Sequence, residues 1–467
     1  MTSSVTTSFN EVFLQEFKND LDSDGSNYYI GLARPTELTL TEDFNSRYFQ
    51  DQFRHRLQSI KSLSNSSFVI DRVNWTNTST YAAYDTSTND NYHVLNSLNE
   101  VFLCVETGKE TDGRVKPVSD EPTRAKAVAY DPSGLSSRTF KTDDDYLWRY
   151  LYSLSNLAIA NFLTTDFLPV KRIDTTGATL LSIPQENLQK IVQDSARDGE
   201  IIGLAIDSGG TGYTSIPTIT IAGNGTGASF SCEVTGGKIT RVTVDSDGIA
   251  GSGLFQHGSG YDYASVSLSS GDAVLRPIMG PSGGINKIPL RTLNASALML
   301  QADFQGDEFD TILAENDFHQ VGIMKNVETT SASLYTGDTG QMMKSLDVTI
   351  TTGTQFSEDE LVQNGGQTAK GYVFFHDTTA NKLYYWQDET TGFTPFDNTL
   401  DNQISAVAGG SGTTATFSAE TAPTIDQYSG QVLYINNVGA EGALTPTTGI
   451  TREEDQTEDI RIVIQLG

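Results

Sequence analysis

The stretch DDDYLWRYLYSLSNLAIANFLTTDFLPV, from Asp143 to Val170, constrains the fold more than any other part of this chain. Tyr146, Trp148, Tyr150 and Tyr152 alternate with Leu147, Arg149, Leu151 and Ser153. Such a period of two places four rings on one face of a strand and a mixed set on the other, so the strand must be packed against other parts of the chain. A second strand, in the C-terminal stretch DQTEDIRIVIQLG, sets Ile460, Ile462 and Ile464 against Arg461, Val463 and Gln465. Its apolar face is expected to be buried in the core sheet.

Composition narrows the function classes. At 467 residues the chain exceeds the ~250–300 at which one hydrophobic core stops growing, so several domains are expected. Its 37% hydrophobic content suits folded cores. The 59 acids against 30 bases give a formal charge of −29, which repels nucleic acid and anionic membrane surfaces. Two cysteines, Cys104 and Cys232, cannot build a disulfide framework and read as buried free thiols in a reducing compartment. The N-terminus lacks a basic region followed by an apolar core, and no run approaches the ~18 apolar residues of a membrane span, so a soluble, unexported protein is expected.

Residues 5 to 19 read as an amphipathic helix, with Ser8 and Glu11 at capping-box spacing and Phe9, Phe13 and Phe17 on one face. That face packs either on its own domain or on a second copy. A strand at Tyr28 to Ala33 is stopped by Arg34-Pro35. A second helix over about 44 to 63 would align Phe49, Phe53, Leu57 and Ile60. From Val69 to Val170 the pattern is strands and polar loops. Between about 200 and 270 the chain turns rich in Gly, Ser and Thr and carries an internal repeat. Asp207–Gly223 aligns with His257–Gly271, pairing Gly212-Tyr213 with Gly260-Tyr261, and VTGGKITRVTVDSDG between them reads as a Gly-Gly hairpin. A further unit at about 338 to 427 contains a hairpin whose apolar runs are Tyr372–Phe375 and Leu383–Trp386.

Chemical motifs are sparse. Asp20 to Gly25, DLDSDG, has the spacing of half an EF-hand loop, but the twelfth position is Gly31 and a strand follows, which disfavours calcium. Asp143, Asp144 and Asp145 read as solvated acids before a strand. The glycine clusters near 209–212 and 223–227 are followed by strands, whereas a phosphate loop needs a helix. Five histidines, His55, His93, His257, His319 and His376, have no ligand spacing, and no serine sits in a G-x-S-x-G elbow. No catalytic, cofactor-binding or metal-binding residue is assigned, and no cofactor is expected.

Several of these segments together resemble the dimeric baseplate wedge protein of T-even-like contractile-tail bacteriophages. Tyr146, Trp148, Tyr150, Leu151 and Tyr152 fit its Y-x-W-x-Y-L-[FY] pattern, and Asn161, Phe162, Thr165, Asp166, Phe167, Pro169 and Val170 fit the element that follows. Gly430, Val432, Tyr434 and Asn437, then Gln456, Thr457, Glu458, Asp459, Ile460, Ile462 and Ile464, fit the C-terminal pattern. Weaker likenesses keep the same order: NYYIGLARP from Asn27, VIDRVNW from Val69 as a helix-to-loop stretch, and NDFHQVGIMKN with Gln320. The chain departs from the family at Val438, Gly439 and Ala440, where Pro-Pro is common.

The resemblance covers roughly 1 to 195, 272 to 335 and 428 to 467. It implies a mainly β protein with a few helices, that is, an α+β protein with a β-sandwich-like core formed by 1–199, 272–337 and 428–467. Two β-rich modules, 200–271 and 338–427, would be inserted in it, as in cyanophage-type relatives. The implied role is non-enzymatic and structural: a homodimer in the virion's tail baseplate, assembled in the host cytoplasm. It would bind other wedge proteins, but neither nucleic acid nor membrane, and pass on their rearrangement during contraction. The competing reading is a host-surface carbohydrate-binding adhesin or tail-associated glycan hydrolase, with Tyr384, Tyr385 and Trp386 as a stacking platform unless they are hairpin core.

Overall fold

Apolar alternation at a spacing of two, punctuated by Gly and Asn turns, produces antiparallel strands along most of the chain, and the protein is mainly β with a few short helices. The computed structural model describes residues 7–23, 27–34, 46–63, 65–88, 91–130, 139–173, 184–247, 254–306, 308, 312, 317–437, 450–451 and 455–465. They fall into two compact units: Met1–Gln15, Ser67–Met299 and Val463–Gly467 form the first, and Glu16–Ser66 with Leu300–Ile462 the second. Residues 200–271 lie wholly within the first unit and 338–427 wholly within the second.

In the first unit the aromatic strand Leu147–Ser153 lies inside a four-stranded antiparallel sheet, between Glu100–Glu106 and Thr139–Lys141, with His93–Leu95 beyond. Both of its faces are buried, not one. On the aromatic face Tyr146 stacks on Trp148 at 5.6 Å, and Tyr150 meets Phe102 edge-on at 5.7 Å. Hydroxyls reach partners: Tyr146 donates to the Lys116 carbonyl at 2.7 Å and Tyr152 to the Pro169 carbonyl at 3.0 Å. The opposite face carries Arg149, completely buried. Its guanidinium donates to Glu200 Oε2 at 2.9 Å and to Thr139 Oγ1 at 2.9 Å. Helices Arg124–Tyr130 and Asn156–Phe162 interrupt the region expected to hold only strands and loops; Ser155 caps the second by accepting from the Ala158 amide.

The glycine-rich region of the same unit is a set of short ribbons. Its two repeat copies pair with each other: Ile219–Gly223 runs antiparallel to Ala264–Leu268, from Ile219 opposite Leu268 to Gly223 opposite Ala264. Gly212 and Gly260, ahead of buried Tyr213 and Tyr261, take matching left-handed φ of 75° and 72°. Gly236 and Gly237, at φ 61° and 74°, close the hairpin Phe230–Thr235/Lys238–Val244, the paired positive values a two-residue turn requires. This region is tied to the rest of its unit by Arg241, which donates to Glu106 Oε1 at 2.8 and 3.1 Å.

In the second unit a five-stranded sheet runs in the order Thr339–Gln341, Leu57–Ser62, Tyr28–Ala33, Gln320–Lys325, Gln431–Asn437. The second helix is only Arg47–His55; Leu57 and Ile60 belong to the strand that follows. The 3.6 and 2 periodicities coincide over so short a run, and the burial of Leu57, Gln58, Ser59 and Ile60 in succession is that of a central strand. Gly31 and Gly322 face each other in this sheet, and a Cβ on Gly322 would lie 2.5 Å from the Phe53 ring, so the paired glycines form the notch that seats the helix. Six strands between Lys344 and Thr421 close a barrel filled by residues such as Leu346, Val373, Tyr385 and Phe417. Its Lys370–Asp377/Lys382–Trp386 hairpin aligns Tyr372 with Trp386.

The C-terminal strand, Thr457–Gln465, is an edge strand beside Ala297–Gln305. An edge strand has a neighbour on one side only, so Ile462 alone of the three isoleucines is buried, while Ile460 and Ile464 are half-exposed. Val69–Asp71 ends the strand Asn65–Asp71, in place of the helix-to-loop conformation expected.

Two expected outcomes follow from this packing. Breaking the buried pair with Arg149→Ala should lower unfolding free energy by about 3–5 kcal/mol, whereas Arg149→Met with Glu200→Leu should be near neutral; urea melts of both variants decide this. Ile462→Asp should cost several kcal/mol through burial of a carboxylate, and Ile460→Asp distinctly less, read as the difference between their thermal midpoints.

Candidate functional site

The motif residues do not converge on one site. Tyr146, Trp148, Tyr150, Phe167 and Pro169 lie in the first unit, where Pro169 pairs with Val69 in the sheet. Gln320, Tyr434, Asn437, Gln456, Glu458, Ile460 and Ile462 lie in the second. There Gln320 is buried and stands opposite Asn437, Tyr434 opposite Ile323, and the Gln456 carbonyl accepts from the Gly306 amide. Glu458 and Ile460 are half-exposed on the edge strand. Residues 438–440, where the chain departs from the family pattern, lie outside the described residues.

Several expectations about polar groups need correction. Asp144 is buried, not solvated: its carboxylate accepts the Ser119 and Asp120 amides at 2.7 and 2.9 Å and the Thr142 hydroxyl at 2.5 Å. Asp143 is exposed, and Asp145, half-buried at φ 69°, pairs with Lys141 at 2.8 Å. Asp20 takes hydrogen bonds from the Tyr28 hydroxyl and the Lys325 ammonium, so that carboxylate serves the strand beside it; Asp24 and Gly25 lie outside the described residues. Tyr384, Tyr385 and Trp386 are buried, Tyr385 in the barrel interior and Trp386 stacked on Tyr372 at 4.6 Å, so no sugar reaches them. Hairpin core claimed those rings because both faces of the strand are covered. Cys104 and Cys232 are free and buried. Among the described residues no group of three or more His, Cys, Asp or Glu is placed to hold a metal, and no helix is long and apolar enough to cross a membrane.

All five histidines are buried, and burial is the leading cause that pulls each imidazole below its ordinary pKa. His257 is pushed down to about 4, by burial first and by Arg149 next; its Nδ1 lies 3.0 Å from the Ile201 carbonyl.

A cavity of about 600 Å³ in the second unit combines apolar walls with convergent polar groups. Helix Arg47–His55 ends there because Arg54, buried behind it, donates to the carbonyls of Gln427, Ser429 and Gly430 at 3.1, 2.5 and 2.8 Å. That clamp sets Tyr428 against His55, with ring centroids 5.5 Å apart. On the other side Asp388 accepts the Thr390 and Thr391 amides at 2.8 and 3.1 Å, forming a side-chain-capped turn that presents Glu389 and Phe393. Phe393 comes within 5.2 Å of the His55 ring. Glu389 Oε2 accepts from Gln52 at 2.7 Å, and Oε1 faces His55 Nδ1 at 3.9 Å. Lys344, its pKa lowered by burial, donates to Gln387 at 2.9 Å.

Sequence reading missed this cavity because its walls come from 47–55, 344, 389–393 and 422–428, distant in the chain and individually ordinary. Exposed Phe393 beside a Thr-Thr-Gly turn was the only local signal.

The histidines set an acid limit on stability. The folded chain keeps His257 neutral down to about pH 4, whereas the unfolded chain protonates it near 6.5, so stability falls as pH drops through that window. His257→Gln should flatten this slope, by at most about 1.4 kcal/mol per pH unit, in urea midpoints measured from neutral pH to about pH 5. Comparison with protein-family models gives no match, and comparison with curated proteins gives none either.

Proposed function

We propose that this chain is a structural subunit of a contractile-tail phage baseplate wedge, built into the virion after assembly in the host cytoplasm. It acts as a homodimer that links neighbouring wedge proteins and passes on their rearrangement during contraction. The motif order described above supports the family, and one structural observation supports an associating surface. Helix Thr7–Leu21 buries Leu14 and packs Phe17 edge-on against Tyr28 at 5.8 Å. Yet it leaves Phe9, Val12 and Phe13 at 59%, 61% and 51% exposure. Phe9 and Phe13 are stacked at 6.5 Å, and Glu11 beside them is held at 2.9 Å by Arg291, so the apolar patch is fixed in place. Ser8, expected as a cap, sits inside the helix.

A patch of large apolar side chains on one helical face is the kind of surface that association covers. A second copy is the occupant favoured here. Two chains that each carry a charge of −29 repel one another, so their contact must be apolar, and a phenylalanine face is self-complementary about a twofold axis.

Light scattering at micromolar concentration should give a particle of twice 50.7 kDa. Phe9→Asp with Phe13→Asp should yield a folded monomer that still unfolds cooperatively, because neither ring is core. A wild-type monomer, or a dimer indifferent to the double substitution, refutes the helix as the dimer contact. A baseplate reconstruction whose wedge density has no place for the six-stranded barrel refutes the assignment itself.

A further inference from the structure

We propose that the cavity between helix Arg47–His55, the Glu389–Phe393 turn and the Ala422–Tyr428 segment is a binding site for an uncharged di- or trisaccharide. Nothing in the wedge role requires such a site, and the proposal stands whether or not that role is correct. Three observations carry it. Phe393 and Tyr428 stand half in solvent, 47% and 50% exposed, on either side of an imidazole that is more than nine-tenths buried. Exposed rings flanking a recess offer flat apolar faces, and the C–H faces of a pyranose match them. The recess, at about 600 Å³, lies within the ~300–1,000 Å³ typical of small-ligand sites.

The polar groups choose among ligand classes. His55 Nδ1 has no hydrogen-bond partner in the structure although it is buried. It faces Glu389 Oε1 across 3.9 Å, too far for a hydrogen bond between them. A hydroxyl that bridges the two groups accepts from Nδ1–H and donates to the carboxylate, which fixes the tautomer with its proton on Nδ1. A quaternary ammonium has no donor or acceptor to do this. Phosphorylated or sulfated ligands are opposed by the carboxylates of Asp51, Glu389 and Asp426, which outnumber the lining cations Lys344 and Arg47, the latter 93% exposed and 3.6 Å from Asp51. A hydrocarbon would leave the imidazole nitrogen as unmet as it is in the unliganded site and so gains nothing from it. A polyhydroxylated ring satisfies all of these groups.

The test uses the full-length protein and a panel of maltose, cellobiose, lactose and chitobiose, with tetramethylammonium and inorganic phosphate as charged controls. Saturation-transfer NMR and calorimetry should detect at least one disaccharide with Kd of roughly 0.1–10 mM, and neither control ion. Phe393→Ala with Tyr428→Ala should weaken that binding about tenfold or more, and His55→Phe should weaken it while preserving the ring wall. Both aromatic positions are half-exposed, so the variants should fold, which an unchanged thermal midpoint verifies. Failure of all four sugars to bind at ten times the upper Kd limit overturns the proposal. So does sugar binding that survives the double substitution, and so does preferential binding of tetramethylammonium lost in the same variants.

Discussion

The ion pair between Arg149 and Glu200, inside the first unit, is the interaction on which that unit's organisation turns. A strand with rings on one face has to be covered there, but the other face carries a guanidinium that water cannot reach. Desolvating that cation is tolerable only with a carboxylate at hydrogen-bond distance. Glu200 supplies it from the residue immediately before the strand Ile201–Ser208. The start of the glycine-rich region is therefore held to the back of the aromatic strand, and His257 is buried beside the pair. Arg241 and Glu106 repeat the device at a second point, with burial raising the pKa of Glu106 against the pull of Arg241. Paired charges are a weak source of net stability and a strong source of registry, and here they decide where the ribbons sit.

The second unit uses shape for the same purpose. Two facing glycines open a notch in the sheet, Phe53 fills it, and the helix that carries Phe53 is thereby delivered with His55 at its end. Arg54 then gathers the carbonyls of Gln427, Ser429 and Gly430. The cavity results from these two anchorages: neither Phe53 nor Arg54 lines it, and both determine which residues do.

An assembly role and a saccharide pocket are compatible because they draw on different parts of the chain. The apolar face of helix Thr7–Leu21 consists of side chains that gain by leaving water. The pocket combines half-exposed rings with unsatisfied hydrogen-bonding capacity, so it gains from a ligand that is both flat and polar.

The sequence by itself determined what local patterning controls. Period-2 alternation located the aromatic strand, apolar runs about a polar turn located the barrel hairpin, Arg34-Pro35 bounded the strand Tyr28–Ala33, and the Gly-Gly turn and the Gly-Tyr repeat marked the ribbons. These were legible because side-chain direction and turn conformation depend on residues adjacent in the chain. Tertiary structure decided the rest. Whether Arg149 and Asp144 face water or a partner, whether Ile460 is covered, and whether Tyr385 or Phe393 is the accessible ring depend on neighbours far away in the chain. Leu57 and Ile60 show the same limit, since one short spacing suits a helix or a strand until the sheet offers a place. The candidate site was illegible for that reason: a buried histidine and an exposed phenylalanine carry no message singly, and only the fold sets them 5.2 Å apart.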